Sequence, residues 1–269
     1  MAKTPSKRSA WWLPLLSAVC ISAQAHTPYL LPASFEAQPR AVISVDASFA
    51  DKFFIPEVAF GETRFTVMAP DGSVTPMADV RQFKTRTVAE HQLPDEKGTY
   101  RVSTGPRLGA VFRSWERNGK VETARDPATP TPADARLLSH YQSLSVSETY
   151  ITVGKPSRAA LAPSGKGLEI VPVMHPADLF AGEKFDFTVQ YHGKPLAAQK
   201  VEIFRSAMDL ASQHSVDVLT TDGEGRISYA LPKSGIYLAL VRYRADAPAG
   251  AAAPQYGNNY TLTFRVLAQ

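Results

Sequence analysis

Lys184-Phe185-Asp186-Phe187-Thr188-Val189 sets Phe185, Phe187 and Val189 on one side of an extended chain and Asp186 and Thr188 on the other. A period of two marks a half-buried strand, because successive side chains of an extended backbone point to opposite faces. The alternation recurs outward in both directions, in Ala41 to Ala47, Arg64 to Met68, Leu144 to Val153 and Tyr260 to Val266. Turn chemistry separates these runs: Pro70-Asp71-Gly72-Ser73, Asn118-Gly119, His192-Gly193-Lys194-Pro195 and Asp222-Gly223-Glu224-Gly225. A short helix is expected only near Asp209 to His214. Many short strands with frequent turns predict an all-β chain of sandwich type.

Two segments look alike. Gly98-Thr99-Tyr100 and Gly235-Ile236-Tyr237 each open a strand, and each follows a Leu-Pro pair, Leu93-Pro94 and Leu231-Pro232. An Asp-Gly turn lies upstream of each, at Asp71-Gly72 and Asp222-Gly223. This internal repeat predicts two tandem β-sandwiches, immunoglobulin-like or transthyretin-like. The Pro-rich stretch 125–135 reads as a long loop of the first. The break from Gly154 to Gly167 holds the boundary, giving domains 26–160 and 161–269.

The first 25 residues stand apart. Lys3, Lys7 and Arg8 precede a short apolar run from Trp11 to Ile21, and Ala23-Gln24-Ala25 supplies small residues for cleavage. That is the layout of a secretory signal peptide. The run is about half of the ~20 residues a membrane-spanning helix needs. Cleavage after Ala25 removes three basic residues and leaves 26 Lys+Arg against 25 Asp+Glu. So balanced a chain gives no ground for nucleic acid as a partner. Cleavage also removes Cys20, the one cysteine, which excludes disulfides, thiolate metal sites and cysteine nucleophiles. The expected location is the periplasm.

The same cleavage makes His26 the mature N-terminus. Its free α-amine and imidazole can then chelate one metal ion together. An α-amine titrates at about 8 in peptides, so a metal displaces its proton easily at neutral pH. Amine and imidazole nitrogens suit nickel, cobalt, copper and zinc. His175, in Val173-Met174-His175-Pro176, is expected in a loop near the domain boundary and is the first candidate to complete the site. His91, after Glu90, is the second, and Glu57, in Ile55-Pro56-Glu57-Val58, the third. No H-x-H or H-E-x-x-H spacing groups the histidines, so any such site is assembled by folding. No nucleophile elbow, phosphate loop or dinucleotide fingerprint occurs, and no carboxylate pair is evident. The chain is therefore expected not to be an enzyme.

Four stretches together resemble a known family. They are Ala25-His26-Thr27-Pro28-Tyr29-Leu30-Leu31-Pro32, Gly98 to Val102, Gly167 to Pro172 running into His175-Pro176, and Gly193-Lys194-Pro195-Leu196 through Asp222-Gly223-Glu224-Gly225 to Tyr237. The resemblance is to the periplasmic domain-of-unknown-function family associated with nickel and cobalt uptake, the NikM-like proteins. It implies two β-sandwich domains and a role in handling nickel or cobalt beside a membrane metal transporter. It maps the histidine after the signal onto His26. Members often follow that histidine with an acidic or aromatic residue and a tryptophan; Thr27 and Pro28 stand here. Two other functions compete. One is a copper oxidase of the histidine-brace kind, which needs a second histidine across the site. The other is a structural or carbohydrate-binding module, for which Tyr29, Phe53, Phe54, Tyr141 and Tyr256 would be the aromatic surface, although most of these are expected to pack in cores.

Overall fold

The computed structural model describes residues 26–206 and 216–269. The signal segment expected over residues 1–25 and the helix expected near Asp209 to His214 lie outside the described residues. The alternating sequence forms strands almost throughout. In chain order they are β1 (Thr27–Pro32), β2 (Glu36–Ala37), β3 (Val42–Ala50), β4 (Val58–Ala59) and β5 (Thr66–Met68). β6 (Val74–Pro76), β7 (Asp79–Gln82), β8 (Thr87–Gln92), β9 (Gly98–Ser103) and β10 (Arg107–Arg117) follow. Next come β11 (Lys120–Ala124), β12 (Arg136–Val153), β13 (Leu168–Pro172), β14 (Lys184–Tyr191) and β15 (Lys194–Pro195). The last are β16 (Lys200–Arg205), β17 (Val216–Thr220), β18 (Arg226–Ala230), β19 (Gly235–Asp246) and β20 (Gln255–Val266). No helix among the described residues is long and apolar enough to cross a membrane.

These strands make three sheets. The first runs β1-β3-β8-β7, with β4 beside β3. The middle sheet runs β17-β16-β19-β20-β12-β9-β5-β6 and also carries β2, β10 and β11. The third runs β13-β14-β15, with β18 beside β14. The chain is all-β, with two sandwiches that share the middle sheet. β12 shows how. Its 18 residues pair in parallel with β20 from Tyr141 to Thr149, then antiparallel with β9 from Tyr150 to Val153. Alternation sends Tyr150 into a core with Phe185, Phe187 and Phe264, and Ile151 and Val153 into one with Val45, Phe65 and Tyr100. Full burial of each such ring contributes about 1.5–3 kcal/mol.

A third, smaller cluster ties the first sheet to β19. Tyr237, Ala239 and Val241 face the core that holds Phe185, whereas Leu238 and Leu240 turn the other way onto Tyr29, Ala50 and Phe53. The two Gly-x-Tyr segments prove structurally equivalent. Gly98 and Gly235 have φ of 141° and 145°, outside the range comfortable for a residue with a Cβ. Two residues on, the buried Tyr100 hydroxyl donates to Glu96 O at 2.8 Å and the Tyr237 hydroxyl to Lys233 O at 2.7 Å. Each is a tyrosine corner, fixing the entry into a late strand of its sandwich.

Candidate metal centre

The register of the first sheet builds this site. β1 pairs antiparallel with β3, Thr27 opposite Ala50, so His26 runs out past the strand end opposite Asp51. On the other side of β3, β4 sets Val58 opposite Phe49, and Glu57 N donates to Phe49 O at 3.2 Å. Asp51 and Glu57 thus stand at the two ends of one short loop. Ile55 N donates to Lys52 O at 2.9 Å, and Asp51 N to Glu57 Oε1 at 3.1 Å. Phe53 pins that loop from inside. It is 1% exposed, edge-on to Tyr29 at 6.1 Å and to Phe204 at 5.0 Å between ring centres. Arg242 Nη2 donates to Thr27 Oγ1 at 3.0 Å and fastens the first residue of β1 to β19.

The outcome is a compact donor set. His26 Nδ1 lies 2.9 Å from Glu57 Oε2 and 3.3 Å from Asp51 Oδ1. The three donor atoms all lie within 4.8 Å of one another. Ligands sit about 2.1 Å from a transition metal, so adjacent donors stand about 3.0 Å apart at right angles and about 3.4 Å apart in a tetrahedron. The two His26 distances already have that spacing. The nitrogen is also the right one. Nδ1, through Cγ, Cβ and Cα, closes a chelate ring with the α-amine of the same residue. A terminus freed by cleavage after Ala25 would therefore offer two nitrogens and two carboxylates to one ion. The side chains of His26, Asp51 and Glu57 are 43%, 46% and 35% exposed, so an ion can enter and leave. Tyr29 of β1 is buried. Burial first, then the charge of Asp46, pushes its hydroxyl up to about 12.

A family model described as a domain of unknown function, DUF4198, matches residues 23–245. The chain belongs to the DUF4198 family. In this DUF4198 chain the match begins just ahead of His26 and ends inside β19, so β20 lies beyond it. No curated protein matches the sequence. A DUF4785 family protein from Legionella pneumophila is similar at 10% identity, with 79% of this chain and 50% of that one covered and a TM-score of 0.25. This chain spans about half the length of that protein. The D0-D1 domain of intimin is 12% identical over 87% of this chain and 96% of its own, TM-score 0.22. The Escherichia coli adhesin FdeC is 14% identical over 90% and 65%, TM-score 0.22. Likeness at that level carries no argument, and the architecture of the DUF4198 chain rests on its own sheets.

Of the residues expected from sequence, the fold joins His26 and Glu57. It places the other two elsewhere. His175 is 6% exposed, and both ring nitrogens are engaged. Nδ1 accepts from Ala177 N at 3.0 Å, so Nε2 carries the proton. Nε2 lies 3.0 Å from both Ser157 O and Thr99 Oγ1. Thr99 Oγ1 also accepts from Ser157 N at 3.1 Å. His175 therefore locks β9 of the first sandwich to the loop that follows β13. His91 pairs opposite Ile43 on β3, whereas the candidate metal centre adjoins Ala50. Those seven residues of strand put His91 about 23 Å away. It lines a small cleft with Val67, Leu93 and Tyr100, where desolvation holds its pKa below the ordinary value. Asp51 is the ligand candidate that sequence reading missed. It directly follows β3, and pairing Thr27 with Ala50 is what reveals it. Tyr29 and Phe53, weighed for an aromatic binding surface but expected in a core, are buried.

Proposed function

We propose that this is an exported, non-enzymatic protein that binds a transition-metal ion through its processed N-terminus and passes it on. The single observation that carries this reading is His26 Nδ1, aimed at Glu57 Oε2 and Asp51 Oδ1 at ligand–ligand spacing. The α-amine freed by cleavage after Ala25 completes a set of two nitrogens and two oxygens. Such borderline donors suit nickel, cobalt, copper and zinc. Nickel or cobalt is the cargo we favour, by the resemblance of the mature N-terminus to the NikM-like proteins. A periplasmic location and hand-over to a membrane metal transporter belong to the same reading, and the exposure of all three side chains supports it. A copper oxidase of the histidine-brace kind is less well supported. It needs a second imidazole across the site, where Asp51 and Glu57 stand, and His175 has both nitrogens engaged.

Calorimetry on protein that starts at His26 tests this. Nickel and cobalt are expected to bind with one-to-one stoichiometry, and copper more tightly, following the general order of divalent affinities. His26→Ala should abolish binding while the melting temperature stays within a few degrees. Wild-type affinity in His26→Ala would overturn the reading.

A further inference from the structure

One flank of the first sandwich carries two free sheet edges. β6 ends the middle sheet and β7 ends the first sheet, with only Met77 and Ala78 between them. A free edge presents unpaired N–H and C=O groups, and proteins commonly blunt such edges with proline or lysine. β6 is blunted by Pro76. β7, Asp79-Val80-Arg81-Gln82, carries neither residue and is exposed along its whole length. Val80 is 39% exposed, and Phe83, directly after the strand, 57%.

The hairpin fixes which groups point outward. Phe83 N donates to Arg86 O at 2.8 Å and closes β7 onto β8. Along an antiparallel pair, residues that bond across the ladder alternate with residues that do not. Asp79 and Arg81 therefore turn their backbone groups toward β8, and Val80 and Gln82 turn theirs to the open side. Side chains alternate as well. Val80 lies opposite the buried Ala89 on the core face, whereas Asp79 lies opposite Glu90 on the outer face. Asp79 and Glu90 are like charges on adjacent strands, which is unfavourable.

We infer that β7 is a self-association edge, at which two copies of this chain pair antiparallel and join their first sheets into one. Charge complementarity selects both the partner and the register. A two-fold axis at Val80 sets Val80 opposite the partner's Val80, with two N–H···O bonds exchanged between their outward groups. It also sets Asp79 opposite the partner's Arg81, and Arg81 opposite the partner's Asp79. Each arginine then offsets the repulsion between Asp79 and Glu90. An axis at Arg81 would instead oppose two arginines whose backbone groups face away from the joint. An edge of four residues covers far less than the ~800 Å² per partner of a stable complex, so the dimer is weak, with a Kd on the order of 100 µM. The pairing needs no metal and does not rest on the proposed function.

Sedimentation velocity of the chain beginning at His26, run in EDTA from about 10 µM to about 1 mM, tests this by mass action. The wild type should pass from monomer to dimer over that range. Asp79→Arg and Arg81→Asp each set like charges opposite one another and should each weaken association at least about tenfold. The double variant restores the complementarity and should associate as the wild type does. Val80→Pro deletes an outward N–H that the β7–β8 ladder does not use, so it should abolish the dimer with the melting temperature within a few degrees. Rescue by the double variant stands as evidence even where Val80→Pro fails to fold. A wild type that stays monomeric throughout would overturn the proposal and leave the edge to a strand of another protein. Association undiminished in either single variant, or not restored in the double variant, would overturn it as well.

Discussion

Glu57 and Asp51 each offer one carboxylate oxygen near His26 Nδ1, at 2.9 Å and 3.3 Å. Glu57→Gln and Asp51→Asn keep the size and remove the anionic donor. Each should weaken nickel binding roughly tenfold, the bidentate terminus remaining, as isothermal calorimetry would record. His175 acts differently. His175→Ala leaves Ser157 O and Ala177 N without this partner in a partly buried place, so it should cost about 1–3 kcal/mol of stability and leave nickel affinity within about twofold. Urea unfolding read beside the titration separates these effects. His91 adds a pH dependence. Its folded pKa is depressed from 6.5 by desolvation, so the unfolded chain binds the proton more readily. Its contribution to stability is therefore fully present above that unfolded value and declines as pH falls from there through the folded one. His91→Gln should shrink the fall in melting temperature between about pH 7.5 and about pH 5. His140, lowered by desolvation and by Arg113, keeps that fall from vanishing.

The loop 51–57 depends on its own Phe53, held by aromatic rings outside the loop. Phe53→Ala should destabilise the chain by about 3–5 kcal/mol, because Phe53 is fully buried against Tyr29 and Phe204. It should also weaken nickel binding by more than Glu57→Gln does, since both carboxylates lose their fixed spacing. The tyrosine corners are milder. Tyr100→Phe and Tyr237→Phe each remove one hydrogen bond to a backbone carbonyl and should each cost about 1 kcal/mol in chemical unfolding. Elements with one wet and one dry face were legible from sequence: β3, β14 and the corners stand where alternation and Gly-x-Tyr put them. β12 proved longer than its alternation, because Arg136 to Ser143 has no buried residue on either face and carries no period. β1 is buried on both faces over Thr27 to Leu30, so it reads as a plain apolar run. His26 and Glu57 were legible by chemistry. Asp51 was not, because only the register of β1 on β3 brings it to His26, and register is a property of the folded sheet.

At the scale of the whole chain, the two sandwiches are not separable beads. β12 feeds both cores, β20 takes its parallel partner from β12, and Leu238 and Leu240 seal the loop that carries the metal centre. Calorimetric unfolding should therefore give one cooperative transition, and two well-resolved transitions would contradict a shared middle sheet. The same unity gives the candidate metal centre a rigid floor, with Arg242 of β19 holding Thr27 in place. In the proposed function, the deciding chemistry is that of the start at His26. The most direct test is nickel titration of two proteins, one beginning at His26 and one carrying a single extra alanine ahead of it. The extension leaves the imidazole, Asp51 and Glu57 in place but converts the α-amine into a peptide nitrogen. Affinity should fall by at least about a hundredfold, or about 2.7 kcal/mol, on adding that residue. Equal affinity in the two proteins would contradict the account.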